Sequence, residues 1–269
     1  MSESPIKVAI LDLYDNHPNK GMRCIKEIVE EFKLSYNVYD VRAKNEVPAM
    51  DYDIFISSGG PGNPLPIHHE WEKKYFELID ALHANNLKPD TKKKYVFFIC
   101  HSFQMVMHHF HLAQLTKRKS PSFGVLPVHK THEGLSEPIL HNLKEPFYIV
   151  DSRDYQIVQP NRERMHKMGA KILCIEKERH HVPLERAIMC VRFDDYFIGT
   201  QFHPEADVKG MIAHYKNPDK IKQTIEAYGD AKYHTMIDGL NDEEKIKKTH
   251  SEILPNFLKL SIKALSENN

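Results

Sequence analysis

Short apolar runs that alternate with helical stretches most constrain the fold of this chain. In its first part, runs typical of buried strands are separated by segments in which apolar residues recur every three or four positions. The strand candidates are residues 6–13, 36–41, 53–57 and 95–99. The helix candidates are residues 21–32, 71–84 and 103–112. This alternation predicts an α/β fold: a three-layer arrangement with a mostly parallel, twisted central sheet and helices on both faces.

The middle of the chain is richer in strand patterns, and its end is helical. Further strands are predicted at residues 123–129, 147–150, 155–158, 170–175, 187–193 and 196–202. After residue 206 the pattern becomes charged and helical. We therefore predict a domain over residues 5–206, followed by a helical C-terminal extension over residues 207–269. The sequence leaves open whether these helices pad the sheet, cover a site or form a dimer contact.

Composition narrows the classes of function. The chain has 269 residues, 41% of them hydrophobic, and 37 basic residues balance 37 acidic ones. A net charge of zero gives no basic surface for nucleic acid, and we expect no membrane association. The N-terminal sequence lacks the pattern of a signal peptide, and the four cysteines include no C-x-x-C pair. We expect four reduced thiols and a cytoplasmic location.

A cysteine stands at the edge of the fourth strand candidate. The run YVFFI ends at residue 99 and is followed by Cys100, His101 and Ser102. A buried structural cysteine needs no such position, whereas a reacting thiolate must leave the core to meet its substrate. A strand-to-helix turn exposes the sulfur, and the positive end of the following helix favours negative charge. Cys100 is therefore a candidate nucleophile.

The segment GTQFHPEAD supplies candidates for a base and an acid. His203 and Glu205 flank Pro204, which favours an extended conformation of the residue before it. In an extended chain these two side chains point the same way, so Glu205 can orient His203 toward Cys100. The oxyanion formed by attack on a carbonyl needs N–H donors. The turn SSGGPGNP offers the bare backbone of Gly59, Gly60 and Gly62, and the N–H of His101 is a second candidate.

Together the three stretches resemble the class I, or triad-type, glutamine amidotransferases over about residues 5–210. That family combines a glycine-proline loop, the motif G-x-C-x-G-x-Q and a later F-H-P-E, in this order. The F-H-P-E element matches fully and the SGGPG loop matches well. The nucleophile motif matches in Cys100 and Gln104, whereas Phe98 and Ser102 stand where the family has glycines. The resemblance implies a flavodoxin-like amidotransferase fold.

The resemblance also implies a role for each matched residue. Cys100 attacks the side-chain amide of glutamine, His203 transfers protons and Glu205 orients His203. Gly60 and His101 supply the oxyanion donors. Substrate contacts are expected from Gly59, Gln104 and Ser152; the last is the nearest equivalent of a His-Ser pair in the family, whose histidine is missing here. Asp151 or Arg153 would then alter what is recognised. No cofactor is expected.

Several functions remain open at this point. The preferred one is a glutaminase resembling free-standing GMP-synthase-type domains, which releases glutamate and delivers ammonia to a separate acceptor or synthetase subunit. The alternatives are an acyltransferase or a γ-glutamyl hydrolase with the same triad, and a catalytically degenerate binding module. Eighteen histidines raise the question of a metal site. Their clusters, at 68–69, 108–111 and 180–181, lack the spacing of known ligand sets, so no metal is predicted.

Overall fold

A computed structural model describes residues 5–179, 185–242 and 244–267 of the chain. The strands are β1 (Lys7–Asp12), β2 (Ser35–Asp40), β3 (Ile54–Ser57), β4 (Tyr95–Ile99), β5 (Gln114–Lys130), β6 (Phe147–Val158), β7 (Lys171–Glu176), β8 (Ile188–Arg192) and β9 (Phe197–Thr200). The helices are α1 (Gly21–Glu31), α2 (Val41–Lys44), α3 (Glu70–Leu87), α4 (His101–His109), α5 (His132–Leu135), α6 (Arg162–Met168), α7 (Val208–Tyr215), α8 (Pro218–Tyr228), α9 (Asp230–Asn241) and α10 (Ile246–Glu267). A short 3₁₀ helix covers Pro138–Leu140.

The described strands form one nine-stranded sheet in the order β2-β1-β3-β4-β9-β8-β7-β5-β6. From β2 to β9, neighbouring strands pair in parallel, and from β9 to β6 they pair antiparallel. The predicted α/β class with a helix-flanked central sheet is thus confirmed, and the parallel strands form one continuous half of it. In such sheets ligands bind at the carboxyl ends of the parallel strands.

Helices cover both faces of the sheet because side chains alternate along each buried strand. In β1, Val8 and Ile10 join one core with α1 and α10, while Ala9 and Leu11 join a second core with α3 and α4. These residues are fully buried. The near-continuous apolar sequences of β1, β3 and β4 follow from this burial on two sides.

The antiparallel half differs from the predicted strands in its lengths. The two strands predicted at residues 147–150 and 155–158 are one strand, β6, and β5 begins well before the predicted residue 123. A register shift between Lys117 and Ser122 interrupts the pairing of β5 with β6. Asp151, Ser152 and Arg153, predicted to lie between two strands, therefore belong to a strand.

Three of the helices that follow β9 are held by a separate hydrophobic cluster. We call α7, α8 and α9 the C-terminal cap. Its buried side chains Met236 and Leu240 pack with Phe123, Val125 and Val150 of the hairpin that β5 and β6 form. Helix α9 approaches closely because Gly239 faces Val125, where an added Cβ would lie 2.7 Å from the valine Cβ. The division of the chain at residue 206 stays a prediction.

A membrane-spanning segment is not found among the helices of the described residues, since none combines the required length and hydropathy.

Candidate active site

Three adjacent parallel strands end at one place on the rim of the sheet. Strand β4 pairs with β3 on one side and with β9 on the other. The glycine loop follows β3, Cys100 follows β4, and His203 lies three residues after β9. The topology thus brings together sequence motifs that are separated by about 100 residues in the chain.

Cys100 occupies a strained turn between β4 and α4. Its φ of 49° and ψ of −97° lie in a region that residues with a side chain rarely adopt, at a cost of about 1–3 kcal/mol. The turn is fixed to the neighbouring strand because the Cys100 N–H donates to the Thr200 carbonyl at 2.7 Å. Helix α4 begins at the next residue, so its positive end lies beside the sulfur. The cysteine is 6% exposed and lies on the wall of a cleft.

Ser102 replaces a family glycine and supports this turn. Its side chain is fully buried. The hydroxyl accepts the Ile99 N–H at 2.9 Å and donates to the Ser57 carbonyl at 2.9 Å, which connects the ends of β4 and β3. The serine therefore supplies hydrogen bonds that a glycine could not.

Phe98 replaces the other family glycine and lies away from the reacting side of the turn. Its ring packs against Phe193 and Phe197, with centroids 5.6 and 5.7 Å away. In the sheet register Phe98 pairs with Gly199 of β9, which has no side chain to compete for the space. The bulk beside the nucleophile is thus accommodated within the apolar core.

His203 and Glu205 form the predicted pair. The His203 Nδ1 lies 2.8 Å from the Glu205 Oε1, and the carboxylate is 1% exposed. Burial lowers the pKa of His203, but Glu205 and Cys100, through their charges and hydrogen bonds, raise it well above its ordinary value of 6.5. These charges favour the protonated form of His203, and Nε2 is the ring nitrogen that Glu205 does not use.

The backbone around this pair is anchored from two sides. The His203 N–H donates to the Val150 carbonyl of β6 at 3.2 Å, and His250 of α10 lies with its Nδ1 3.0 Å from the Glu205 carbonyl oxygen. The second carboxylate oxygen of Glu205 is buried and has no hydrogen-bond partner among the described residues. Position in the fold, rather than a full set of hydrogen bonds, fixes this carboxylate.

Two glycines after β3 permit close contacts that a side chain would prevent. A Cβ at Gly59 would lie 2.8 Å from the His203 Cε1, so this glycine makes room for the imidazole. A Cβ at Gly60 would lie 2.4 Å from the Leu13 carbonyl oxygen, a backbone atom that cannot move aside easily. Gly60 lines the cleft, whereas Gly59, expected to contact substrate, lies behind it against the histidine.

The two predicted oxyanion donors belong to residues that line the cleft. Within the described residues, the backbone N–H groups of Gly60 and His101 donate to no other group. The His101 side chain is 3% exposed, and burial, together with the charge of Arg42, lowers its pKa to about 3. Because the His101 side chain is neutral, the positive features beside Cys100 are the N-terminal end of α4 and the backbone N–H of His101.

The cleft has a volume of about 430 Å³ and is open to solvent. Cys100, His203, Gln104 and Ser152 all line it. Gln104 is held in place, because its Nε2 donates to the Tyr155 carbonyl at 3.1 Å and to the Gln201 Oε1 at 2.9 Å. The predicted site residues other than Gly59 and Glu205 thus border one space.

Arg153 borders the same cleft, but its guanidinium is engaged. The side chain is 1% exposed, and its Nε lies 3.0 Å from both carboxylate oxygens of Asp151. A second carboxylate, that of Glu176, lies 3.3 Å from its Nη2. Arg153 and Asp151 of β6 are therefore engaged in a buried network of ion pairs.

Sequence reasoning missed three residues around the cleft. Gln201 lies within the GTQFHPE segment, and its Nε2 is 3.8 Å from the Cys100 Sγ. Tyr14 follows β1; burial, the charge of Glu205 and that of Cys100 raise the pKa of its hydroxyl well above 10.0. Tyr228 reaches the cleft from the C-terminal cap. Only Gln201 lies inside a recognisable motif, so only it could have been found from the sequence.

The histidine clusters have structural contacts in the described residues. His109 lies with its Nε2 2.7 Å from the Asp80 Oδ1 and stacks on Phe76. Within residues 5–179, 185–242 and 244–267, no group of three or more histidine, cysteine or carboxylate side chains is arranged to hold a metal ion. His180 and His181 lie outside the described residues.

Comparison with known proteins identifies the family of this chain. The family model for glutamine amidotransferase class-I matches residues 9–217. No curated protein matches the sequence of this chain.

Solved structures of low sequence identity share the fold. A glutamine amidotransferase from Thermotoga maritima superposes with a TM-score of 0.71 at 16% identity, over 97% of this chain and 100% of the other. A GMP-synthase-type protein from Thermoplasma acidophilum, described as one subunit of that enzyme, gives 0.55 at 17% identity, over 91% and 99%. The glutaminase domain of the Trypanosoma brucei CTPS, solved with bound acivicin, gives 0.53 at 13% identity, over 74% and 86%.

Proposed function

We propose that this chain, which belongs to the class I glutamine amidotransferase family, hydrolyses the side-chain amide of glutamine. The match to the family model confirms the resemblance to this family that its sequence motifs indicated. Cys100 is the nucleophile, His203 the proton carrier and Glu205 the residue that orients His203. The products are glutamate and ammonia. The observation that carries this proposal is the convergence of three motif loops on adjacent strand ends, where Cys100 and His203 line one cleft and Glu205 holds His203.

In the first half of the reaction the Cys100 thiolate attacks the amide carbon of glutamine. The carbonyl oxygen becomes an oxyanion, which accepts hydrogen bonds from the N–H groups of His101 and Gly60. His203 gives its proton to the amide nitrogen, and the carbon–nitrogen bond breaks to release ammonia. A γ-glutamyl thioester on Cys100 remains.

In the second half His203 is neutral and acts as a base. It removes a proton from a water molecule, whose oxygen attacks the thioester carbon. The same two N–H donors stabilise the second oxyanion. Its collapse breaks the carbon–sulfur bond, so that glutamate leaves and Cys100 returns as a thiolate beside the protonated His203. Glu205 holds Nδ1 throughout and stabilises each charged form of the ring.

We further propose that the ammonia serves an acceptor bound by another protein. The described structure resembles the GMP-synthase-type protein from Thermoplasma acidophilum over 99% of that chain. That protein is described as one subunit of its enzyme, which supports a separate synthetase partner here. That partner would determine which acceptor receives the ammonia.

The test is to incubate the purified protein with glutamine and to measure glutamate and ammonia. Equal amounts of both products are expected, and Cys100→Ala is expected to abolish them. Cys190→Ala is the matched control, since this buried cysteine lies on β8 within the core. It should keep the activity if it folds, which circular dichroism checks.

A second measurement identifies the nucleophile directly. Acivicin, an electrophilic analogue of glutamine, is expected to react with the Cys100 thiol and lose its chloride. The mass gain, that of acivicin less HCl, should appear on the peptide that contains Cys100 and on no other cysteine peptide. A wild-type protein that releases no ammonia and is not labelled would contradict the proposal. Release of ammonia that survives Cys100→Ala would contradict the assigned nucleophile.

A further inference from the structure

Tyr228, in the C-terminal cap, forms part of the wall of the cleft that contains Cys100. It is the last residue of α8, and Gly229, with a φ of 89°, ends the helix there. It also lies beyond residue 217, where the match to the family model stops. A group from outside the matched region thus borders the reaction space.

The ring of Tyr228 is held rigidly. It stacks on Phe123 of β5, with centroids 4.3 Å apart and planes 7° from parallel. Phe123 in turn makes an edge-on contact with Tyr215, 5.5 Å away. Because both aromatic partners belong to the hydrophobic cluster of the cap, the position of Tyr228 is fixed before a ligand enters.

The hydroxyl of Tyr228 lies beside Ser152 of β6, and both residues line the cleft. Burial raises the pKa of Tyr228 above its ordinary value of 10.0, although the neighbouring serine lowers it in part. The phenol therefore keeps its proton, which it can donate to a ligand. Tyr228 thus offers a donor at the wall of the cleft.

A glutamine whose amide lies at Cys100 must place its charged α-groups elsewhere in the cleft. Among the described residues, Arg153 is the only arginine or lysine that lines it, and Asp151 and Glu176 already hold its guanidinium. An α-carboxylate would then depend on neutral donors, whereas the exposed Asp154 on the same wall suits an α-ammonium group.

We propose that Tyr228 is a substrate-binding residue whose hydroxyl, held at the cleft wall by the stack on Phe123, donates a hydrogen bond to the α-carboxylate of glutamine. This inference rests on the proposed glutaminase function and assigns substrate selection to the C-terminal cap. The cap then replaces, on this wall, the histidine that the sequence lacks beside Ser152.

The test compares Tyr228→Phe with Tyr215→Phe. Both changes remove one hydroxyl from the same aromatic stack, but Tyr215 does not line the Cys100 cleft. Losing a hydrogen bond to a charged group is expected to raise the KM for glutamine about tenfold in Tyr228→Phe, with kcat within about twofold. Tyr215→Phe should leave both constants unchanged. The two variants should differ little for a glutamine whose α-carboxylate is replaced by a carboxamide.

Outcomes separate this inference from the proposed function. Normal wild-type kinetics with an unchanged KM in Tyr228→Phe would overturn the role of Tyr228 alone. An equal loss with the carboxamide substrate would also overturn it, since the hydroxyl would then not act on the carboxylate. No ammonia from the wild type, and no binding of glutamine to Cys100→Ala by calorimetry, would overturn both. Binding to Cys100→Ala that weakens about tenfold on adding Tyr228→Phe would support the inference without turnover.

Discussion

Phe98 of β4 lies directly opposite Gly199 of β9, and each position explains the other. A Cβ at Gly199 would lie 3.0 Å from the Phe98 Cβ and 2.9 Å from the Phe103 ring. The glycine missing from the nucleophile motif is thus matched by a glycine on the neighbouring strand. The large side chain beside the nucleophile is compatible with a well-packed core.

Gly199→Ala tests this pairing. An added methyl group in a closely packed core is expected to lower the free energy of unfolding by about 1–3 kcal/mol. Urea denaturation measures the change, and the slope of the transition should stay the same. An alanine variant as stable as the wild type would contradict the close packing of Gly199 against Phe98 and Phe103.

Ser102→Ala should weaken the turn that carries Cys100. Its hydroxyl connects the Ile99 N–H with the Ser57 carbonyl. Removal leaves a buried N–H without its acceptor, at a cost of about 1–3 kcal/mol, and should lower kcat more than it changes KM. Ser261→Ala is the control, because this buried hydroxyl only donates to Phe257 within α10. Equal losses of stability in the two variants would contradict the role of Ser102 in the turn.

Glu205→Gln should lower the pKa of His203 by removing the charge that raises it. Because the folded pKa exceeds the unfolded value of 6.5, the pair stabilises the fold fully below about pH 6.5. That contribution is lost as the pH rises through the raised pKa. The difference in unfolding free energy between wild type and variant should therefore shrink toward alkaline pH, as urea titrations at several pH values would measure. A constant difference would contradict the ion pair.

The same variant should also lose activity. With a carboxamide at position 205 the imidazolium is less stable, so kcat for glutamine should fall on the order of 10²-fold. The alkaline limb of the pH–rate profile should move to lower pH. Steady-state ammonia release over a range of pH values is the measurement. A profile that keeps its alkaline limb would assign that limb to another group.

His101→Gln should make the protein more resistant to acid. Burial lowers the pKa of His101 to about 3, so the folded state resists protonation that the unfolded chain accepts near pH 6.5. Wild-type stability is therefore lost as the pH falls from about 6.5 toward 3, by on the order of 3 kcal/mol at about pH 4. Glutamine cannot take up that proton, so the variant should lose less over this interval. Parallel curves of unfolding free energy against pH would contradict a buried neutral histidine.

Much of the parallel half of the fold could be predicted from the sequence, because its strands are buried on both faces and read as apolar runs. The run at residues 95–99 matches β4 at both ends. The antiparallel half was harder, since polar Asp151 and Arg153 interrupt the apolar pattern of β6 while pairing with each other beneath it. Burial of a charged pair has no signature in hydropathy.

The residues of the site likewise fall into those that the sequence could predict and those that it could not. Cys100, His203 and Gln104 lie in motifs whose spacing carries their chemistry, so they could be named before the structure. Gly199 and Tyr228 could not, because their importance depends on the register of β4 with β9 and on the docking of α8 against β5. Those contacts join residues about 100 positions apart, which local patterns do not record.

The reacting groups emerge from β3, β4 and β9 in the interior of the sheet, whereas Tyr228 reaches the cleft wall from α8, a helix of the C-terminal cap that packs near the edge of the sheet. With Tyr228 as a substrate-binding residue, as proposed, amino-acid changes in the cap would reshape ligand preference and leave the central strands untouched. Part of the selectivity would then diverge during evolution independently of the reacting groups.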